Sequence, residues 1–173
     1  NYWGNAVEWD SITIRPIKDG TTRTAALIAG DVDFIERVSS ADLPNLEKRD
    51  GIKVFKSVSN RLLYLTLHMT DNPIKPYVTD FNDNPIPSPF KDFRMRKAVS
   101  LAINRQAIAD RVMDGLSSPA GQFSPEGYIG YSSNLKADPY DPSEAKALML
   151  EAGYGEGFKL TIHGPAGRYA NDT

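Results

Sequence analysis

Cysteine is absent from these 173 residues, and histidine occurs only twice. Without cysteine there is no disulfide framework, no thiolate metal site and no cysteine nucleophile. The compartment stays open, because a core of this size needs no disulfide anywhere. His68 and His163 stand far apart, with no His-x-x-x-His pair, so each reads as a strand residue at a sheet surface and not as a metal ligand. No charge of one sign dominates either. Lys+Arg 20 against Asp+Glu 22 leaves a formal net charge of -2, which gives no electrostatic footprint for nucleic acid. The apolar runs are only a few residues long, too short to span a membrane. There is no Gly-x-Ser-x-Gly nucleophile elbow. Gly153-Tyr154-Gly155-Glu156-Gly157 looks like a phosphate loop, but it follows a helix and precedes a strand, the reverse of the dinucleotide order. Asp31 and Asp33 read as solvated turn residues. No catalytic constellation, metal site or cofactor site emerges, so the chain reads as a non-enzyme.

What is present is an ordinary globular composition, 40% hydrophobic and 24% charged, enough for one large domain or two small ones. Alternation predicts strands over residues 11–17, 31–35 and 52–58, and most strongly over 61–69. In that last run Leu63, Leu65, Leu67 and Met69 share one face, and Leu62, Tyr64, Thr66 and His68 the other. A central strand covered on both sides is expected. Helices are predicted over 21–29, closed by Gly30, and from a Ser40 cap to about Lys48, shortened by Pro44. Residues 71–89, with five prolines, read as a long loop. Asp92 caps a helix carrying Met95, Ala98, Val99, Ala102 and Ile103 at helical spacing. Asn104 caps the next helix, with Ile108 and Val112 inward and Gly115 as its stop. Asp141-Pro142-Ser143-Glu144 opens a helix that runs to Ala152 with Leu148 and Met149 inward. Phe158, Leu160 and Ile162 form one face of a last strand. Strands alternating with helices predict an α/β layer structure. Several aromatics, among them Tyr77, Phe123, Tyr128, Tyr131 and Tyr169, fall in irregular segments. They suit either a ligand-binding surface or the pinning of long loops.

Four ordered motifs stand out: Asn1-Tyr2-Trp3-Gly4; Ile14-Arg15-Pro16-Ile17 followed by Thr24-Ala25-Ala26-Leu27-Ile28-Ala29-Gly30-Asp31-Val32-Asp33; the run from Phe90-Lys91-Asp92-Phe93-Arg94 through Ile103-Asn104-Arg105; and Asp141-Pro142 through Ala152-Gly153-Tyr154. In this order they resemble the bacterial extracellular solute-binding proteins of family 5, which serve oligopeptide, dipeptide and nickel ABC transporters. The first is similar to the family's Asn-x-x-Tyr-Trp segment, and the second resembles its strand, helix and turn. The third is similar to its most specific signature, and the fourth resembles its Asp-Pro…Ala-Gly-Tyr helix. Departures are few: His68 stands where many members carry Asn, and Asn104 where Asp is frequent.

The resemblance implies a periplasmic-binding-protein-like class II lobe, a mixed sheet flanked by helices. The chain opens without Met or a basic leader and stops at Thr173 soon after a strand-like run. Residues 1–173 are therefore expected to be a truncated second lobe, with the first lobe and a return segment missing. The implied function is the substrate-binding component of an ABC importer, a periplasmic or membrane-tethered monomer. It would capture oligopeptides or dipeptides and pass them to permease subunits. Another solute (a nickel complex, an oligosaccharide or an opine) or a sensory module is the alternative. Arg168 and Tyr169 are the first ligand-binding candidates, past His163-Gly164-Pro165-Ala166-Gly167 at a strand end, where the family's corresponding segment approaches the cleft. Arg168 suits a peptide carboxylate, and Tyr169 suits stacking. His68, Tyr64 and Phe123 complete the set.

Overall fold

The computed structural model describes residues 4, 8–57, 59–70 and 77–165. The chain divides into two compact units, Asn1–Lys53 and Val54–Thr173.

In the first unit, helix α1 spans Gly20–Ala29. Asp19 caps it, accepting from the Thr22 N–H at 2.7 Å. Gly30 ends it in the left-handed region at φ 79°, its N–H donating to Leu27 O while Asp31 N–H reaches Ala26 O. Arg23 ties the helix to its surroundings by donating to Ile17 O, Lys18 O and Arg37 O. Buried Thr24 donates to Asp42, at the foot of the short helix α2, Leu43–Leu46. The helix expected from a Ser40 cap takes another form. Residues Ser40–Asp42 make a single 3-10 turn, and the α-helix starts at Leu43. Pro44 dictates this, since it lacks an N–H and is tolerated only in a helix's first turn.

The second unit is built on α3 (Phe93–Ala102) against α5 (Pro142–Glu151). Ala98, Leu101 and Ala145 are buried between them, with Leu148 and Met149 packed alongside. The small Ala98 and Ala145 leave room for the helices to approach. A second cluster joins Val78, Phe90 and Met95 to Leu67, Tyr77, Ile86, Val99, Met149, Tyr154 and Phe158. Polar ties hold the pair in register. Arg94 donates to Glu151 O at the C-terminus of α5, and Asp141 N–H donates to Leu101 O at 2.9 Å. Lys97 meets Asp138 at 2.7 Å. Asp141 caps α5 from Ser143 and Glu144 N–H, and Asn104 caps α4 (Arg105–Arg111) from Ala107 N–H, both as expected.

The sheet is smaller than the alternation suggests. Among the described residues it holds β1 (Val78–Thr79) and β2 (Lys159–Leu160), antiparallel with Val78 opposite Leu160. β1 lies inside the proline-rich stretch expected to be all loop. Asp80 organises the turn that follows, accepting from Asn82 N–H, Asn84 N–H and the Asn84 amide. Residues 158–162 shorten to those two strand positions, and Ile162 is exposed. Residues 61–69, expected to be a central strand, form no strand among the described residues. They join no ladder among the described residues, and Leu63 is 66% exposed. The runs 11–17, 31–35 and 52–57 form no strand among the described residues, with Ile12, Ile14, Phe34 and Phe55 exposed, and residue 58 lies outside the described residues. Alternation specifies an extended chain, but a strand also needs a neighbour to face its N–H and C=O groups. Ile108 and Val112 of the α4 region are exposed too, and Ala109 is buried instead. Arg105, donating to Ser100 O and Ser100 Oγ, fixes the rotation of α4 that turns Ala109 inward.

Candidate functional site

Rings from four segments of the second unit meet along residues 61–69. Tyr64 and His68 lie four residues apart in that run. The Tyr64 ring meets Phe123 edge-on, with centroids 5.4 Å apart and planes at 73°. The His68 ring lies 5.1 Å from that of Tyr77, which meets His163 edge-on at 5.5 Å. Three of the five expected residues, Tyr64, His68 and Phe123, thus belong to a line of rings in two separate groups, Tyr64–Phe123 and His68–Tyr77–His163. Arg168 and Tyr169 lie outside the described residues. Tyr77 and His163 are what sequence reasoning missed as members of the line. A ring in a loop and a histidine at a strand end were visible, but not their convergence.

Local chemistry positions each ring. Tyr77 immediately precedes β1, and its carbonyl accepts from Thr161 N–H at 2.8 Å, which brings His163 across from the β2 side. His68 is held at both ends: its carbonyl accepts from the buried Ser88 hydroxyl, and its Nε2 lies 3.2 Å from Thr70 Oγ1. Leu67, beside it, packs into the Val78–Phe90–Met95 cluster. The line is therefore anchored on one edge to the core and open on the other.

Phe123 sits in a loop built without apolar burial. Gln122 donates to Ser132 O at 2.7 Å and Leu135 O at 3.2 Å, and accepts from Ser132 N–H. Ser124 Oγ donates to Ile129 O, and Tyr128 and Tyr131 close successive turns on Pro125 O and Tyr128 O. Gly121 is needed where it is, because a Cβ there would lie 2.2 Å from the Lys136 carbonyl carbon. Asn60, Phe123, Ser124, Pro125, Tyr128 and Ile129 surround an open depression of about 450 Å³.

The electrostatics of the unit are structural. Asp92 is held below the usual carboxylate range, first by the Arg94 side chain and then by the Arg94 N–H that it caps. Asp138 is lowered by Lys97 and then by the Ser100 hydroxyl. Asp80 is lowered by Asn84. No group of three or more His, Cys, Asp or Glu side chains converges on a metal position among the described residues. No helix among them is long and apolar enough to cross a membrane. The line can offer stacking, unladdered backbone and neutral polar groups.

Comparison with known proteins follows the same outline. Residues 1–172 match the middle region of the bacterial extracellular solute-binding proteins, family 5. The glutathione-binding protein GsiB of Shigella flexneri serotype 5b is 34% identical over 163 residues, 93% of this chain and 29% of that protein. GsiB of Escherichia coli K12 is 33% identical over 162 residues, again 93% of this chain and 28% of that protein. The chain thus spans less than a third of the length of these relatives. Among solved structures, the periplasmic binding protein DppA from Helicobacter pylori, bound to the peptide STSA, superposes with a TM-score of 0.64 over 90% of this chain and 27% of that one, at 24% identity. A dipeptide-binding protein from Pseudoalteromonas sp. SM9913, bound to Met-Leu, gives a TM-score of 0.54 at 28% identity over 80% of this chain and 24% of that one. The fold is that of periplasmic peptide-binding proteins, despite the small described sheet.

Proposed function

We propose a peptide-capture role on one premise: this chain belongs to the bacterial extracellular solute-binding proteins, family 5. Residues 1–173 form part of the second lobe of a longer protein, and a first lobe and return segment close on the solute from the other side. The protein is the solute-binding component of an ABC importer. It takes up short peptides outside the cytoplasm, as a periplasmic or membrane-tethered monomer, and delivers them to permease subunits. It performs no covalent chemistry.

One observation supports this reading most directly. Residues 61–69 join no ladder among the described residues and carry Tyr64 and His68, each in contact with another ring. A peptide laid beside such a run gains affinity from main-chain hydrogen bonds that are blind to sequence, and the rings supply stacking area. Relatives named for glutathione, the tetrapeptide STSA and Met-Leu are consistent with short peptides of several lengths. In the proposed cleft, Arg168 pairs with a peptide carboxylate and Tyr169 stacks beside it. The test is mass spectrometry of the solute that co-purifies with the full-length protein, followed by calorimetry with that solute. Short peptides are the expected result. An oligosaccharide, an opine or a nickel complex bound in their place would overturn the assignment.

A further inference from the structure

We infer that the depression bounded by Asn60, Phe123, Ser124, Pro125, Tyr128 and Ile129 is a subsite for one large, uncharged apolar side chain of the bound peptide. The inference rests on the peptide-capture reading and adds a selectivity to it.

Phe123 and Ile129 do not hold their own loop together. Phe123 is 71% exposed, and Ile129 is fully exposed at 101%. The loop's shape comes from the Gln122 side chain, the Ser124 hydroxyl and the close approach of Gly121 to Lys136. Had the rings served only to pin the loop, they would be buried against the domain. Instead polar atoms fix the backbone and leave apolar surface facing outward, already arranged. Binding there needs little further ordering, which is the condition under which apolar contact yields affinity.

Position and charge select the occupant. Asn60 directly precedes the extended run 61–69, and the Phe123 ring that walls the depression is the one that meets Tyr64. A peptide extended beside that run repeats its same-face side chains roughly every 7 Å. One of them falls against Phe123 while its backbone stays along the run. None of the six lining residues carries a charge, so a Lys or Glu side chain would find no ion partner there. The Ser124 hydroxyl already serves Ile129 O. The volume, about 450 Å³, leaves room for a side chain of leucine or phenylalanine size.

The full-length protein would be titrated with Ala-Xaa-Ala tripeptides in which Xaa is Gly, Glu, Leu or Phe, by calorimetry. Leu and Phe are expected to bind at least tenfold more tightly than Gly and Glu. Ile129→Ser should erase most of that preference and leave Ala-Gly-Ala binding within twofold. The position is exposed, and retained Ala-Gly-Ala binding reports an intact fold. Unchanged preference in this variant would overturn the subsite while leaving peptide capture standing. Failure of every tripeptide to bind would overturn both. Ile129→Cys separates a further occupant. Its thiol should react with a maleimide in the ligand-free protein and be protected by Ala-Phe-Ala. Protection without peptide would mean that another part of the polypeptide fills the depression, and the subsite would fall.

Discussion

Asp92 accepts from the Arg94 N–H and from its guanidinium, while Arg94 reaches over to Glu151 O. Arg96 donates to Phe90 O and Lys91 O, and Arg105 to Ser100. The charged residues of the most specific sequence motif thus terminate backbone and brace helices, and the line of rings lies elsewhere. Asp141 works the same way at α5, so Asp141→Ala should cost about 1 kcal/mol, read as a lower denaturant midpoint with unchanged slope. The carboxylates also set an acid limit. Asp19, Asp80, Asp92 and Asp138 all sit below the ordinary carboxylate value in the folded chain. Their stabilisation is complete above the unfolded value near ~4 and is lost as pH falls through the lowered folded values. Denaturant midpoints should therefore drop steeply below about pH 4, and Asp138→Asn should flatten that acid limb.

Helices and strands differ in how much of themselves they write locally. The caps at Asp92, Asn104 and Asp141 were legible because each side chain meets an N–H two or three residues on, whereas the Asp19 cap was read as a turn. Residues 61–69 alternate as cleanly as any strand, yet pairing depends on a segment distant in sequence. β1 was hidden for the same reason: Val78 finds Leu160 across 82 positions (160 − 78), and nothing near Val78 announces it. The site divides in the same way. Tyr64, His68 and Phe123 could be picked as candidates, but the Tyr77–His163 contact follows from that unforeseen ladder. Within the loop, Gly121 offers a direct check. Gly121→Ala places a methyl 2.2 Å from the Lys136 backbone, so the two chains must separate. We expect a loss of roughly 1–3 kcal/mol and faster amide exchange across residues 122–135, with α3 and α5 unaffected.

At the scale of the whole molecule, many large apolar side chains face water, among them Ile12, Ile14, Phe55, Leu63 and Ile162. A surface of that kind is normally covered. Residues 1–173 alone should therefore bind dipeptides to pentapeptides far more weakly than the full-length protein. Calorimetry giving micromolar affinity for the isolated piece would refute the shared cleft. One tie described above bears on how such a protein can change its diet. Asp141 N–H returns to Leu101 O, and Lys97 holds Asp138, so everything between leaves the end of α3 and comes back to it. Within the excursion, residues 116–136 carry Phe123, Tyr128 and Ile129 and bury no side chain. It is a cassette with its two ends clipped to one post. Exchanging it for a loop of twice the length would cost only about 0.6 kcal/mol in closure entropy. Selection can rewrite what the lobe touches there while the helices beneath keep the same sequence.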